Sequence, residues 1–279
     1  MKESAFKEVF EFLKNQNLVD KDSAYKGIQV NWYERSQSNF NEDVELVRRI
    51  MDQVRPETTI ELAAGAGRIA IPSEKLTKRY FALDNSEEML LMLKEQIVAK
   101  NIKNIECQLF DFNLDRVPPP LESTADFLLL ANNSIFYSID EAGCFMVLEK
   151  VARMLKPGGL FFLDWSPVSP GGASSSLLSM CRIEDPLLGN RVEIVNPVFD
   201  PINRKRKLHF LNLDFSIDTG LKLSYYEQQH YIPSVGEILQ AARLIGFETI
   251  TRYSDYTALR DCEDFRGSQC GILFRKRGF

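Results

Sequence analysis

Apolar strands alternating with amphipathic helices across residues 41–165 predict an α/β fold. The expected architecture is a doubly wound, mostly parallel seven-stranded sheet with helices on both faces and right-handed crossovers, plus an antiparallel β insertion. Three observations carry this reading. Residues 58–69, TTIELAAGAGRI, run an apolar strand straight into a glycine-bearing turn and a helix. A second apolar strand at 79–83 is closed by Asp84, seventeen residues after Gly67. After Trp165 the pattern changes to alternating segments separated by turn residues, which is material for an antiparallel ladder.

Taken in order, Phe6, Val9, Phe10 and Leu13 fall at i, i+3, i+4 and i+7, so the chain opens with an amphipathic helix. Tyr25, Trp32, Tyr33 and Phe40 stand among polar neighbours, and residues 1–40 are expected to form a lid. Val44, Val47, Met51 and Val54 mark a helix leading into the strand at 58–62. Ser86 is placed to cap another helix, whose Met89, Leu90, Leu93 and Ile97 face inward. Strands at 105–110 and 127–131, then the run VARMLKPGGLFFLDW at 151–165, complete a core spanning 41–165. Residues 166–176 hold Pro167, Pro170, Gly171 and Gly172 among serines and read as a mobile loop. Strands at 191–198, 207–216 and 221–232, joined by Asp200-Pro201-Ile202-Asn203 and Asp218-Thr219-Gly220 turns, fill out an insertion over 166–232. Helical spacing at 234–245 and strands at 248–253 and 271–275 then return residues 233–279 to the main sheet. In such a sheet the ligand crevice lies at the carboxyl ends of the strands.

Composition narrows the function classes. Of the 279 residues, 44% are hydrophobic and 26% charged, near globular averages, so a sizeable core is available. A net charge of −5 argues against a surface made for phosphate backbones, and no nucleic-acid partner is expected. Arg204, Lys205, Arg206 and Lys207 follow a turn signal and read as a solvated turn. The five cysteines form no C-x-x-C and have only His209 and His230 to supplement them, so neither a metal site nor a disulfide framework is expected. The charged N-terminus and the lack of an apolar run near the ~20 residues that span a bilayer point to a cytoplasmic protein without membrane contacts.

Gly65, Gly67 and Ala70 satisfy the loose pattern G-x-G-x-x-[GA], and Asp84 lies at about the distance a nicotinamide enzyme uses for ribose hydroxyls. Further segments resemble the class I S-adenosylmethionine-dependent methyltransferases of small-molecule type: Glu61 ending the first strand, DNSEEML at 84–90, the pair Asp111-Phe112, and the run 151–165. The resemblance covers residues 41–165 as an ordered series and resumes near Ser234. One departure stands in it, Ala63 where many members carry a first glycine; alanine is compatible if its φ stays negative.

The resemblance implies S-adenosyl-L-methionine as cofactor and assigns roles to residues. Ala63, Gly65, Gly67 and Arg68 would bring main chain and a helix start to its methionyl end, with Glu61 beneath, holding its amino group. Asp84, Asn85 and Met89 would meet the ribose, Asp111 and Phe112 the adenine, and Asn132 the region of the methyl. Tyr33 from the entry segment would close over the cofactor. Asn133, Trp165, Trp32 and Tyr25 are candidates for acceptor contact, and Asp164 ends the same strand as Trp165 near where an acceptor would enter. Tyr226, Glu227 and His230 are the catalytic candidates, because alternation puts Tyr226 and His230 on one strand face and an imidazole near pKa 6.5 could take the acceptor proton.

The expected activity is methyl transfer by direct displacement to a nitrogen or oxygen of a small molecule: an amine, amino acid, sugar or natural product. Three other readings stay open on the residues alone: an NAD(P)-dependent oxidoreductase on the same glycine turn, a non-enzymatic adenosyl-ligand scaffold, and a peptide or protein acceptor. Acceptor identity and oligomeric state are not encoded in any of these motifs.

Overall fold

The computed structural model describes residues 5–16, 20–21, 25–37, 40–167, 179–216, 220–258 and 269–278. The chain divides into two compact units, one of residues 1–39 with 170–230 and the other of residues 40–169 with 231–279. It starts in the first. Helix α1 (Ala5–Asn15) buries Phe10, whose ring stacks on Tyr225 at 3.6 Å, while Val9, expected on the same apolar face, is half exposed. Strand β1 (Asp20–Lys21) and helix α2 (Ile28–Gln37) follow.

Helix α3 (Glu42–Val54) opens the second unit and buries Val44, Leu46, Val47, Ile50 and Met51 on one face. Glu42, Asp43 and Glu45 fall in its first turn, where the helix dipole favours acids. Strand β2 (Thr58–Leu62) is buried at all five positions, as a strand covered on both faces must be. The alternation then continues through α4 (Ala70–Ser73), β3 (Arg79–Asp84), α5 (Glu87–Ala99), β4 (Ile105–Leu109), β5 (Ala125–Leu130), α6 (Glu141–Met154) and β6 (Leu155–Trp165). Ser86 caps α5 by accepting from the Met89 amide at 3.3 Å, and Asp140 caps α6 by accepting from the Gly143 amide at 2.9 Å.

The chain next re-enters the first unit as β7 (Ser179–Asp185), β8 (Gly189–Asp200), β9 (Lys205–Ser216) and β10 (Gly220–Tyr231). Their sheet runs β1-β10-β9-β8-β7, with β8 antiparallel to both β7 and β9. Strand β7 was not anticipated, because most of SMCRIED is exposed and carries no apolar alternation. The Asp200 turn forms as expected, its Oδ1 accepting from the amides of Ile202 and Asn203. Most of the loop expected at 166–176, and the Asp218-Thr219 part of the second turn, lie outside the described residues.

Back in the second unit come α7 (Val235–Ile245), β11 (Phe247–Ser254), β12 (Thr257–Ala258) and β13 (Cys270–Lys276). A Ser234–Glu237 capping box starts α7, and Gly246, at φ 102°, ends it. The sheet order is β12-β11-β13-β6-β5-β2-β3-β4. Strands β4, β3, β2, β5 and β6 are parallel, and β13 is antiparallel to both β6 and β11. Among the described residues this sheet has eight strands rather than seven. Asp255 and Tyr256 both take left-handed backbone, at φ 46° and 62°, and this tight turn folds Thr257–Ala258 back onto Tyr253 and Ser254. Among the described residues no helix is long and apolar enough to cross a membrane, and Cys107, Cys144, Cys181 and Cys270 are free thiols.

Candidate active site

The carboxyl ends of β2, β3 and β6 each hold a buried carboxylate: Glu61, Asp84 and Asp164. The turn after β2 contains three residues with positive φ: Ala63 at 55°, Gly65 at 54° and Gly67 at 89°. Its shape is fixed from outside. The Ala64 amide donates to Leu83 O at 3.0 Å, and Gln96 of α5 donates to Ala66 O at 2.9 Å. A Cβ on Gly67 would sit 2.3 Å from Leu93 Cδ1, so this glycine is demanded by packing. A Cβ on Gly65 would meet nothing within 4 Å, so there the requirement is backbone conformation beside open space. The compatibility argument for Ala63 is overturned, since its φ is positive and an L-residue pays about 1–2 kcal/mol for that region.

Asp84 closes β3 and is buried, with Oδ2 accepting from the Gly65 amide at 2.7 Å and Oδ1 from the Ser86 amide at 2.8 Å. Burial raises its pKa, and those amide bonds oppose the rise. The Asn85 amide also lowers its pKa as a donor, and the acceptor capacity that remains on the carboxylate suits ribose hydroxyls. Glu61 is buried beneath the turn and accepts from the Tyr80 hydroxyl at 2.6 Å. Desolvation pushes its carboxyl up to about 8, so it is protonated at neutral pH. Arg68 forms a bidentate pair with Asp43, donates to Phe40 O at 2.8 Å and stacks over the Phe40 ring. That arrangement orients the start of α4 rather than presenting a guanidinium.

Met89 is buried under the first turn of α5, while the exposed Asn85 reaches Asp111 only at 3.5 Å. Asp111 turns Oδ1 back to the amides of Asn113 and Leu114, and Phe112 is buried with its carbonyl held by Lys150 at 2.8 Å. Asn132 and Asn133 end β5 in consecutive left-handed conformations, φ 54° and 62°. Asn133 Oδ1 accepts from the Ser166 amide at 2.6 Å, and its own amide points at Asp164 Oδ1 at 3.4 Å. Asp164 is fully buried. Burial first and Asp43 second push its carboxyl up to about 7, against the Asn133 and Asn132 amides and Arg68. Trp165 is fully buried too, donating Nε1–H to Pro233 O at 3.0 Å, so it is core and not a pocket wall.

The remaining candidates lie in the first unit. Trp32 is buried with the Arg191 guanidinium 4.7 Å from its ring centroid, so it is core there; Tyr25 and Tyr33 meet edge to face at 5.2 Å. The Tyr226, Glu227, His230 trio does not converge. Tyr226 stacks on Phe210, whereas Glu227 faces the other side and joins Lys207, His209 and Tyr225. His230 is buried, and its Nδ1 meets Arg206 Nη2 at 3.0 Å. Because arginine can only donate, Nδ1 is the acceptor and Nε2 carries the proton. Burial and the Arg206 charge lower its pKa to about 3, which overturns the expectation of an imidazole titrating near 6.5. Asp43, Tyr256 and Gln269, which cluster around Asp164, carried no sequence signal. Asp164 did: LFFLD repeats the pattern of ALD at Asp84, a carboxylate closing a buried strand.

A mostly parallel sheet with the reversed strand β13 between β6 and β11, a glycine turn after β2 and an acid closing β3 is the arrangement of the class I methyltransferase fold. Residues 60–159 match the family profile of the methyltransferase domain. The cypemycin N-terminal methyltransferase of a Streptomyces species is 25% identical over 195 residues, covering 68% of this chain and 72% of that one. Among solved structures, the sugar N-methyltransferase KedS8 from a Streptoalloteichus species superposes with a TM-score of 0.70 at 18% identity, covering 93% of this chain and 96% of that one. DesVI of Streptomyces venezuelae gives 0.70 at 13% identity, covering 90% and 98%. Residues 60–159 thus carry a methyltransferase domain, and the chain has the fold of the class I, S-adenosylmethionine-dependent methyltransferases.

Proposed function

We propose that this enzyme methylates an amine nitrogen of a small molecule. The observation that carries the cofactor half is the pairing of Gly65, beside open space, with Asp84, whose carboxylate reaches that same turn. These residues fit S-adenosylmethionine: Asp84 for the ribose hydroxyls, the glycine turn and the helix start after it for the methionyl end, and Asp111 with the Phe112 amide for the adenine. When bound, that cofactor supplies a methyl group already activated on a sulfonium. The chain must then align a nucleophile and exclude water, and alignment accounts for roughly 7–11 kcal/mol in well-oriented intramolecular reactions. A dedicated base is the smaller term, about 3–5 kcal/mol for the usual ~10²–10⁴ effect. His230, with its lone pair on Arg206, is not suited to be that base.

Nitrogen is favoured over oxygen because KedS8 is named as a sugar N-methyltransferase and MtfA, another similar structure, as a glycopeptide N-methyltransferase, while the cypemycin enzyme is named for methylating an N-terminus. The domain reading that goes with this proposal has residues 166–232 as an insertion serving the acceptor and residues 1–40 as its lid. Calorimetry with S-adenosylhomocysteine and with NAD tests the cofactor, and Asp84→Ala should weaken the former by roughly 1.5–3 kcal/mol. Labelled methyl transfer to glucosamine, to an N-terminal alanine peptide and to catechol tests the acceptor. Label on catechol alone would reject nitrogen, and label on the peptide alone would reject a small-molecule acceptor.

A further inference from the structure

At the carboxyl end of β6, Asp164 has an oxygen with nothing to accept. Its Oδ1 faces the Asn133 amide, but its fully buried Oδ2 has no hydrogen-bond partner among the described residues. The same is true of the Gln269 side-chain nitrogen, while the Tyr256 hydroxyl has the Asp164 carboxyl as its hydrogen-bonding neighbour and closes no well-formed bond elsewhere among the described residues. These groups belong together. Tyr256 lies against the Asp164 carboxyl. Gln269 pairs its main chain with Asp255 at 3.0 Å and its Oε1 with the Ser166 hydroxyl at 2.5 Å, and the Ser166 amide returns to Asn133. The four residues Asn132, Asn133, Asp255 and Tyr256 are all left-handed. Orphaned buried polar atoms each cost about 1–3 kcal/mol, and strained backbone about 1–3 more, so their coincidence at one strand end marks a place where a ligand completes the structure.

The missing partners have a definite chemistry. Asp164 Oδ2 needs a donor, Gln269 Nε2 needs an acceptor, and Tyr256 can give or take. An α-amino-acid group supplies both, an ammonium and a carboxylate. Asp164 also sits in the field of Asp43 and Arg68, and Arg68 directly follows the glycine turn, which puts the cluster toward the methionyl side of the cofactor. Glu61, the carboxylate expected to hold the ammonium, is occupied by Tyr80 and protonated at neutral pH.

We propose that Asp164, assisted by Tyr256 and with Gln269 facing the carboxylate, holds the α-ammonium of the cofactor's methionyl end. This rests on the methyltransferase reading. An ammonium beside Asp164 keeps its carboxyl ionised, so binding near pH 7 releases a proton from it; the titratable groups facing it are Asp43, Arg68, Tyr256 and Cys270.

The test is calorimetry on the full chain at pH 7, in two buffers of different ionisation enthalpy. S-adenosylhomocysteine is compared with its analogue lacking the α-amino group, on wild type, Asp164→Asn, Tyr256→Phe and Glu61→Gln. Asp164→Asn should lose ~10–100-fold in affinity for S-adenosylhomocysteine, the loss of a charge-assisted bond. It should also lose the proton release and bind the analogue as wild type does, while Glu61→Gln keeps both the discrimination and the Asp164 share of the release. If Asp164→Asn fails to fold, the wild type alone decides through its preference for the amino form and through the Tyr256→Phe loss. Equal binding of the two ligands by wild type, or equal weakening of both by Asp164→Asn, overturns the proposal. Wild type that binds neither ligand rejects the cofactor reading itself.

Discussion

The two units bury different kinds of side chain. In the second unit β2 is buried throughout and β5 nearly so, and three buried carboxylates, Glu61, Asp84 and Asp164, stand at the carboxyl edge of its sheet. In the first unit the most buried side chains include Arg191, Asn212, Ser224, Gln29 and His209. Arg191 is bidentate to Asp214 at 2.5 and 2.8 Å and reaches Gln29 at 2.6 Å, and Gln29 in turn donates to Ser224 at 3.1 Å. One unit is held mainly by apolar area, with three carboxylates at one sheet edge; the other has a hydrogen-bonded interior in which losing one member of the Arg191 network strands a buried charge.

The largest effect that would break this comparison is at Arg191. Removing it by Arg191→Ala leaves Asp214 unpaired and should cost about 3–5 kcal/mol, comparable to the ~2–5 kcal/mol of Leu129→Ala in the apolar sheet. The chain's two tryptophans fall one in each unit, so unfolding by urea can be read separately from Trp32 in a Trp165→Phe background and from Trp165 in a Trp32→Phe background. A cost under ~1 kcal/mol for Arg191→Ala would mean the polar interior is ornamental to stability.

Next in size is Gly67→Ala, which meets both Leu93 and a positive φ and should destabilise by about 2–4 kcal/mol. Gly65→Ala meets only the φ, about 1–2 kcal/mol, yet should harm S-adenosylhomocysteine binding more than stability. Equal unfolding midpoints for the two would show that Leu93 yields.

The polar edge of the second unit should also make ligand-free stability depend on pH. Glu61 and Asp164 hold protons in the folded state up to about 8 and about 7, and release them near the ordinary carboxylate range when unfolded. The folded state therefore binds more protons between about pH 4 and pH 8, and stability falls as pH rises through that window. Thermal unfolding from pH 5 to 8 should follow this slope, and Glu61→Gln should flatten it. A midpoint that climbs over that range would reverse the assignment. The smallest expected change is Ala63→Gly, a gain of roughly 0.5–1 kcal/mol as relieved strain exceeds glycine's added entropy, checked by the same unfolding curves.

The contrast also explains what could be read from the chain. The second unit was legible because apolar runs closed by an acid, a serine cap at Ser86 and a reversed strand near the end leave strong local patterns. The first unit was not, because a buried Arg191 or Asn212 looks like surface until its partner is known, and the partners lie far along the chain. Trp32 was taken for a pocket ring since nothing local announces the guanidinium that covers it. Ala63 misled in another way, because φ is a property of the turn's closure and not of the residue type.

Helix α5 carries a consequence for how the site responds to its ligand. Ser86 at its start stands beside Asp84, Leu93 in its middle packs under Gly67, and Gln96 near its end grips Ala66 O. Asp84 and the glycine turn, the two parts of the proposed cofactor site, are thus two attachments of a single rod. Occupying either should slow amide hydrogen exchange along the whole helix together, and a side-chain change at Leu93 should retune both ends at once.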